Sequence, residues 1–529
     1  MRSGTWPTPA TCCASAAIAA GLLIGIGCWA SDWPQYRGPT LDGISTDRLT
    51  TEWTGQVTNP VWRVYLGNGL SSVAVAGDRV FTQVKRTIQG AAREVALALV
   101  ARTGQELWAR VVDLASYPDG GVGGDDGPRT TPAVDSQGVY VLSSYLKLLR
   151  LDPATGSVVW SNDLRALYGG DVIAWQNAAS PVLDNGLVFV NVNAAPRRIA
   201  AFRTADGSVA WRSAPEVIDE SMTHSTPVVA TLHGVRQLIV ATQGGLVAFE
   251  PQTGTALWRF TYPFSCSTSL APSPVVHQDI VFITAAQVYG MGSVAVRLSL
   301  SNGVWAAMQL WANVGYSSTL ASHWMTPVAR DGFLYGQFGV TSLYDGPNAQ
   351  LKCVDLRTGS VLWSTNGFGR GNTLLVGEHL LVLTERGQLV LAKPDPGAYT
   401  EVARFQAVPD YSSVNKCWNA PAVADGRVYV RSTAYLACFD LSWPSLKLLA
   451  PQRVASNRFV LRAQCTDGSP VRSNRLGGLT LCATTNLALP VAQWTRLTNA
   501  AVLSNGTVYF QPVDAGQRSQ QFFCISESE

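Results

Sequence analysis

A six-residue phrase, Thr-Gly-x-x-x-Trp, returns along the chain and constrains its fold more than any other feature. It stands at Thr103-Gly104 with Trp108, Thr155-Gly156 with Trp160, Thr253-Gly254 with Trp258 and Thr358-Gly359 with Trp363. Asp206-Gly207 with Trp211 is a near-copy, and a worn copy ends at Trp311. Successive tryptophans lie 52, 51, 47, 53 and 52 residues apart. A period of about 50 residues marks one supersecondary unit stacked many times, each too small to bury its apolar face alone.

Each unit reads alike. It opens on a Pro-Val phrase such as Ser180-Pro181-Val182-Leu183 or Thr226-Pro227-Val228-Val229. A turn such as Asp184-Asn185-Gly186 follows, then an apolar run such as Leu187-Val188-Phe189-Val190. A third run ends in an aspartate or its stand-in, as in Leu148-Leu149-Arg150-Leu151-Asp152. The Thr-Gly turn then leads to the tryptophan strand. Short β-branched and aromatic runs bounded by turn residues predict four antiparallel strands per unit. Glycine supplies the positive φ of the turn at little cost. The tryptophan can lay its indole on the neighbouring unit's turn, so Gly104, Trp108, Gly156, Trp160, Gly207, Trp211, Gly254, Trp258, Gly359 and Trp363 are the predicted docking residues.

Four-stranded units repeated around an axis predict an all-β fold, a β-propeller. Opening strands begin near Ser72, Thr131, Ser180, Thr226, Ser273, Thr326, Thr373 and Ala420, which predicts eight blades. The last unit stops at Leu436-Ala437-Cys438-Phe439-Asp440-Leu441 and lacks a fourth strand. The run Pro60-Val61-Trp62-Arg63-Val64 precedes the first blade and is predicted to complete the last one, removing an exposed edge.

The expected organisation is a signal peptide at 1–30, an N-terminal extension at 31–59, the propeller at 60–445, a linker at 446–457 and a small all-β module at 458–529. Arg2 is the only charge in the first 30 residues, and Ala14 to Ala30 is small and apolar, too short to span. Cleavage after Ala30 is expected; lipidation at Cys28 is the alternative and would be the only route to membrane association. Either way the chain is expected to be exported, to the periplasm, in association with the outer membrane, or to the extracellular medium. Charged residues make up 14% of the chain and net charge is +3, which argues against a nucleic-acid partner. Seven cysteines follow the signal (Cys266, Cys353, Cys417, Cys438, Cys465, Cys482 and Cys524), so at least one has no intramolecular disulfide partner. Cys353 and Cys438 fall in third strands and read as small buried hydrophobes. No CxxC exists, so no metal site is expected. Past the repeat, Ser504-Asn505-Gly506 between apolar runs signals a hairpin in the C-terminal module.

Asp152-Pro153-Ala154-Thr155-Gly156-Ser157-Val158-Val159-Trp160 resembles the tryptophan-docking motif of the quinoprotein-like, PQQ-repeat propellers, Asp-x-x-Thr-Gly-x-x-x-Trp, at every fixed position. Asp355 to Trp363 does so too, whereas Val100, Arg203 and Glu250 replace the aspartate elsewhere. The opening Trp33-Pro34-Gln35-Tyr36-Arg37-Gly38-Pro39 resembles the start of secreted PQQ-like propellers. The resemblance spans residues 31 to about 445 and implies the fold. The family holds quinone-dependent dehydrogenases, BamB-type assembly lipoproteins and many propellers without an assigned role, so function must be argued from the site.

Loops leading into the opening strands reach one mouth of a propeller's channel. They carry Arg129, Trp175, Asn177, His224, His323, Trp324, Arg370, Lys416 and Trp418, the predicted ligand-binding set. An aromatic and cationic mouth suits a planar anion, a sugar or a peptide. The competing reading is polar filler of a plugged channel. PQQ needs cationic donors for three carboxylates and a Ca²⁺ held by oxygens. The dehydrogenases of the family also stack the quinone between a tryptophan and a vicinal disulfide. Here the only adjacent cysteines, Cys12-Cys13, lie in the signal. Asp125-Asp126 before Gly127-Pro128 reads as a solvated turn, and neither Asp219 nor Glu220 stands out as a base. His233, His277 and His379 sit at hairpin turns and read as solvated. No catalytic residue is assigned and no cofactor is expected. The chain reads as a monomeric binding or scaffold propeller for a protein or glycan. A divergent PQQ- and Ca-dependent alcohol or sugar dehydrogenase is the alternative, and a hydrolase using the mouth histidines a remote third.

Overall fold

The structure, a computed structural model, describes residues 16–17, 31–115, 126–173, 175–194, 198–214, 222–262, 270–285, 292–315, 317–339, 349–455, 458–466, 468–471, 473–514 and 521–527. The chain divides into two units: Ser31–Ser442, and Met1–Ala30 with Trp443–Glu529.

Among the described residues of the larger unit eight sheets follow one another in chain order, each built on four antiparallel strands, the seventh carrying Ile44–Ser45 as a fifth, parallel strand. Blade 1 comprises Ala74–Ala76, Arg79–Ile88, Ala91–Val100 and Glu106–Leu114. The opening strands of blades 2 to 7 are Ala133–Val134, Val182–Asp184, Val228–Leu232, Val275–His277, Val328–Arg330 and Asn372–Val376. Blade 8 is Ala422–Ala424, Arg427–Arg431 and Tyr435–Asp440, with Trp62–Tyr65 as its outer strand, Trp62 facing Cys438. Ring closure is thus made by the N-terminal strand. Middle strands such as Leu187–Asn191 and Gly245–Phe249 are buried throughout, because a sheet packs on each face. That is why they read as unbroken apolar runs. Outer strands such as Val158–Asp163 alternate instead.

The opening strands are tied by hydroxyls. The backbone N–H of Thr131 donates to Ser180 Oγ, that of Ser180 to Thr226 Oγ1, that of Ser273 to Thr326 Oγ1, and that of Ala420 to Ser72 Oγ. The last of these bonds crosses the closure from blade 8 to blade 1. The opening hydroxyls of Ser72, Ser180, Thr226 and Thr326 are therefore part of the blade-to-blade joinery.

Five tryptophans, Trp62, Trp108, Trp160, Trp211 and Trp311, lie over the turn glycine of the next blade. A Cβ on Gly104 would come within 2.6 Å of Trp62, on Gly156 within 2.6 Å of Trp108, and on Gly207 within 2.7 Å of Trp160. The same holds for Gly254 under Trp211 and Gly359 under Trp311, at 2.5 and 2.6 Å. The indole N–H groups donate to turn carbonyls, those of Trp108 and Trp160 to Pro153 and Thr204. A β-bulge precedes the tryptophan in six blades: Ala98 faces Trp108 while Leu99 faces Glu106, and the shift recurs at Arg150/Leu151, Ala201/Phe202, Ala248/Phe249, Ala295/Val296 and Cys353/Val354. The extra residue adds local twist to the strand, which re-aims the indole. Trp258 departs from the expected docking. Its N–H donates to Gln237 of its own blade, since blade 5 turns through a tight Asn302-Gly303 hairpin rather than a Thr-Gly turn. Trp363 donates to Asp395 O of blade 7.

The extension is no loose lead-in. Trp33 pairs with Val75 of blade 1, Pro34 O accepts from Val134 N of blade 2, and Gln35 Oε1 accepts from Leu183 N of blade 3. Arg37 is fully buried and donates to the carbonyls of Asp42, Thr326 and Pro327. Ile44–Ser45 runs parallel to blade 7, and Leu49 bridges Ser442. Residues 33–49 thereby stitch six of the eight blades together.

Two of the turn histidines, His233 and His277, are clasps rather than solvated groups. His233 shares a 2.9 Å hydrogen bond with Leu298 O, and His277 Nε2 accepts from Gly332 N at 3.1 Å, each in the following blade.

In the smaller unit, Leu446–Leu448, Arg462–Cys465, Thr507–Phe510 and Ala501–Ser504 form one sheet, with Asn505-Gly506 at its hairpin. A second holds Phe522–Glu527, Leu479–Thr484 and Thr495–Leu497, with Ala16–Ala17 beside Phe522 and Phe523. Gln452–Ala455 joins Arg458–Val460 and Val513–Asp514. The stretch expected as a linker, 446–457, therefore contributes strands to this module: its alternating Leu446, Leu448 face is buried in the module's core. Apart from Ala16–Ala17, the expected signal lies outside the described residues. No helix among the described residues is long and apolar enough to cross a membrane.

Candidate functional site

The opening loops of blades 6, 7 and 8 bring His323, Trp324, Arg370, Lys416 and Trp418 together. His323 stacks on Trp324 at 5.3 Å between centroids and 25°. Trp324 meets Trp418 at 4.4 Å. The Arg370 guanidinium lies 5.8 and 5.7 Å from the two indole centroids, and Lys416 Nζ is 4.4 Å from that of Trp418. Cations over indole faces are held by the ring quadrupole.

The same cations are taken up by carboxylates of the chain itself. Lys416 Nζ donates to both carboxylate oxygens of Asp126, at 3.0 and 3.2 Å. Arg129 Nη2 is 3.6 Å from Asp126, and its Nε donates to Trp175 O at 2.9 Å. Arg370 donates from Nε and Nη2 to Glu385 Oε1, and its backbone N–H to Glu385 Oε2. A continuous chain of contacts therefore links loops of blades 3, 2, 8, 6 and 7: Trp175, Arg129, Asp126, Lys416, Trp418, Trp324 and His323, with Arg370–Glu385 beneath the indoles. His323 is 4% exposed, and burial beside the Arg370 charge pushes its pKa down to about 4. It is a neutral imidazole at physiological pH and adds no cation.

Asn177 and His224 are buried. Asn177 donates to Ala179 O at 3.4 Å. Trp175 and Gln176 both adopt φ of +69°, a left-handed pair of non-glycine residues that stores strain in the loop into blade 3. Ser267 to Ser269, Asp125, Asp219, Glu220 and Cys266 lie outside the described residues.

Asp126 is not part of a solvated turn. Gly127, at φ +80°, packs so closely on Asn68 that a Cβ would fall 2.4 Å from its carbonyl oxygen, and this approach carries Asp126 inward to the Lys416 ammonium. Glu385 was not among the expected site residues. Its signal was a carboxylate directly after the apolar run Leu380-Leu381-Val382-Leu383-Thr384, where solvation would be lost.

The arrangement does not fit a quinone tricarboxylate. Each of the three cations already faces a carboxylate, Lys416 and Arg129 sharing Asp126, and drawing Arg370 away would leave Glu385 uncompensated at 4% exposure, a large penalty. Among the described residues no cluster of three His, Cys, Asp or Glu side chains is placed to hold a metal ion.

Sheet count, docking geometry and ring closure together define a PQQ-repeat β-propeller. The family model described as Outer membrane protein assembly factor BamB matches residues 91–365 and 347–442, and the chain belongs to that family. Outer membrane protein assembly factor BamB of Moranella endobia (strain PCIT) is 25% identical over 285 residues, 51% of this chain. The chain spans 65% of that relative's length. Among solved structures, the quinohemoprotein alcohol dehydrogenase of Comamonas testosteroni superposes with a TM-score of 0.55 at 14% identity, over 81% of this chain and 83% of that one. A europium-containing methanol dehydrogenase does so with a TM-score of 0.51 at 11% identity, over 76% and 89%. At such identities these two structures speak for the fold alone.

Proposed function

We propose that this chain is an exported binding or scaffold propeller that engages a protein partner through its outer strands and mouth loops, and that it holds no quinone. The observation that carries this reading is the outer strand of blade 5, Val304–Val314. Among the described residues it pairs on one side only, with Gly292–Ser301. Its eleven residues include no charged side chain and no proline, and Val304 and Met308 are 70% and 56% exposed. Proteins ordinarily guard a long edge strand with charge or proline, and an unguarded one is a template for strand addition. The relative's description as an outer-membrane assembly factor supports the same class of role at the cell envelope, with an assembly-machinery protein as partner. A dehydrogenase remains the alternative, and the indole pair of the mouth is what favours it; the committed cations weigh against it.

The test is a photo-cross-linking side chain at position 308 or 418 in the exported chain. The expected result is a discrete adduct with an outer-membrane assembly component from position 308. Adducts from position 418 alone would move the partner to the mouth and contradict the edge-strand reading.

A further inference from the structure

In the smaller unit, Cys482 and Cys524 are register partners on the adjacent antiparallel strands Leu479–Thr484 and Phe522–Glu527. We propose that they form a cross-strand disulfide in the exported protein, a modification site that staples the C-terminal strand to the module. Directly opposed residues in an antiparallel pair have Cα atoms about 4.5 or 5.5 Å apart, and both spacings fall within the span of a disulfide. Opposed residues also share a face, so both side chains leave the sheet on the same side; Cβ atoms about 4.5–5.5 Å apart in such pairs need draw in only slightly to the about 3.5–4.5 Å of a disulfide. Among the described cysteines no other two are register partners: Cys353 faces Trp363 and Tyr335, Cys438 faces Trp62 and Tyr429, and Cys465 faces Leu446.

Two further observations point the same way. Leu481, Ala483, Phe523 and Ile525 turn to the module's main core, whereas Cys482 and Cys524 turn to the other face. There they are covered by a small cluster around Trp494, with Val491 and Phe522 beside it. This face has little apolar area with which to hold the strand. The strand's other neighbour is Ala16–Ala17, inside the segment whose removal export would entail. Cleavage would leave Phe522–Glu527 as an edge strand held by one partner, and the disulfide would secure it.

The chemistry balances with a disulfide donor, oxidised glutathione or an oxidised dithiol oxidoreductase. The Cys482 thiolate attacks the donor disulfide and expels one donor thiolate. The Cys524 thiolate then attacks Cys482 Sγ and expels the second. Two protons leave the cysteines, and the donor gains two electrons and becomes two thiols. In the propeller, burial pushes the Cys353 thiol up to about 11 and those of Cys417 and Cys438 to about 12, which keeps them protonated.

The inference rests on the export reading for its compartment but not for its test. The full chain, lacking residues 1–30, is equilibrated in reduced and oxidised glutathione, alkylated under denaturing conditions and digested. The expected result is one cross-linked species joining the Cys482 and Cys524 peptides, two mass units below the sum of the reduced peptides. On oxidation, amide exchange across Phe522–Glu527 should slow at least about tenfold, an effect absent in Cys482→Ala and in Cys524→Ala. Full alkylation of both cysteines after oxidation, or glutathione adducts without the cross-link, overturns the proposal. Since the buffer sets the redox conditions, such a failure is distinct from finding the chain unexported, which cell fractionation reports.

Discussion

Trp211→Ala is expected to destabilise the propeller by about 3–5 kcal/mol, the range for removing a well-packed large aromatic side chain. Trp211 is 8% exposed and sits between Phe189 of its own blade, at 5.9 Å, and Phe249 of the next, at 5.7 Å. Its N–H donates to Pro251 O at 2.7 Å, and its ring fills the space above Gly254 where a Cβ would come within 2.5 Å. The truncation therefore removes aromatic packing, leaves a cavity and strips a partner from a turn carbonyl. Gly254→Ala should be destabilising too, through contact with the indole and through its φ of +72°. Part of that cost should vanish in the Trp211→Ala background, where the indole is gone. Denaturant titration of the four proteins checks this; an unchanged midpoint for Trp211→Ala would remove docking from the account of blade cohesion.

The second large effect is expected at the mouth. Glu385→Leu should cost about 3–5 kcal/mol, because it leaves the Arg370 guanidinium buried without its counter-charge. The two side chains are 4% and 10% exposed, so water cannot substitute for the lost carboxylate. The double variant Glu385→Leu/Arg370→Met should recover most of the loss, since an ion pair replaced by apolar groups of similar volume is often near neutral. Lys416→Met should cost far less, about 1 kcal/mol or below, because Lys416 retains 21% exposure and water solvates the Asp126 it leaves behind. A Glu385→Leu protein as stable as the parent would mean that Arg370 swings to solvent, and that the mouth is looser than its hydrogen bonds imply.

The repeat made the propeller legible. The spacing of Thr-Gly and Trp set the unit, the Pro-Val phrases marked the opening strands, and the missing outer strand of blade 8 pointed to Trp62. The bulge that aims each tryptophan was hidden, because an inserted residue such as Leu107 or Val159 looks like any other apolar strand residue. The exception at Trp258 was hidden as well, since it depends on the following blade's hairpin and not on the phrase itself. At the mouth, chain order named Arg129, Trp175, His323, Trp324, Arg370, Lys416 and Trp418, which one contact network unites. It did not name Asp126 or Glu385 as their partners, because the Lys416–Asp126 pair joins positions 290 residues apart. Nor did it show that residues 33–49 are stitched across six blades, since hydrogen bonds from a strand-poor segment carry no periodic signature.

Direct titration of the mature chain with PQQ in the presence of Ca²⁺ tests the central claim, with the bound-quinone spectrum and dye-linked oxidation of an alcohol and aldose panel as readouts. Because Arg129, Arg370 and Lys416 are already held by Asp126 and Glu385, the account predicts neither stoichiometric binding nor turnover. Stoichiometric binding with turnover would contradict it, and would make the indole pair of Trp324 and Trp418 part of a dehydrogenase site.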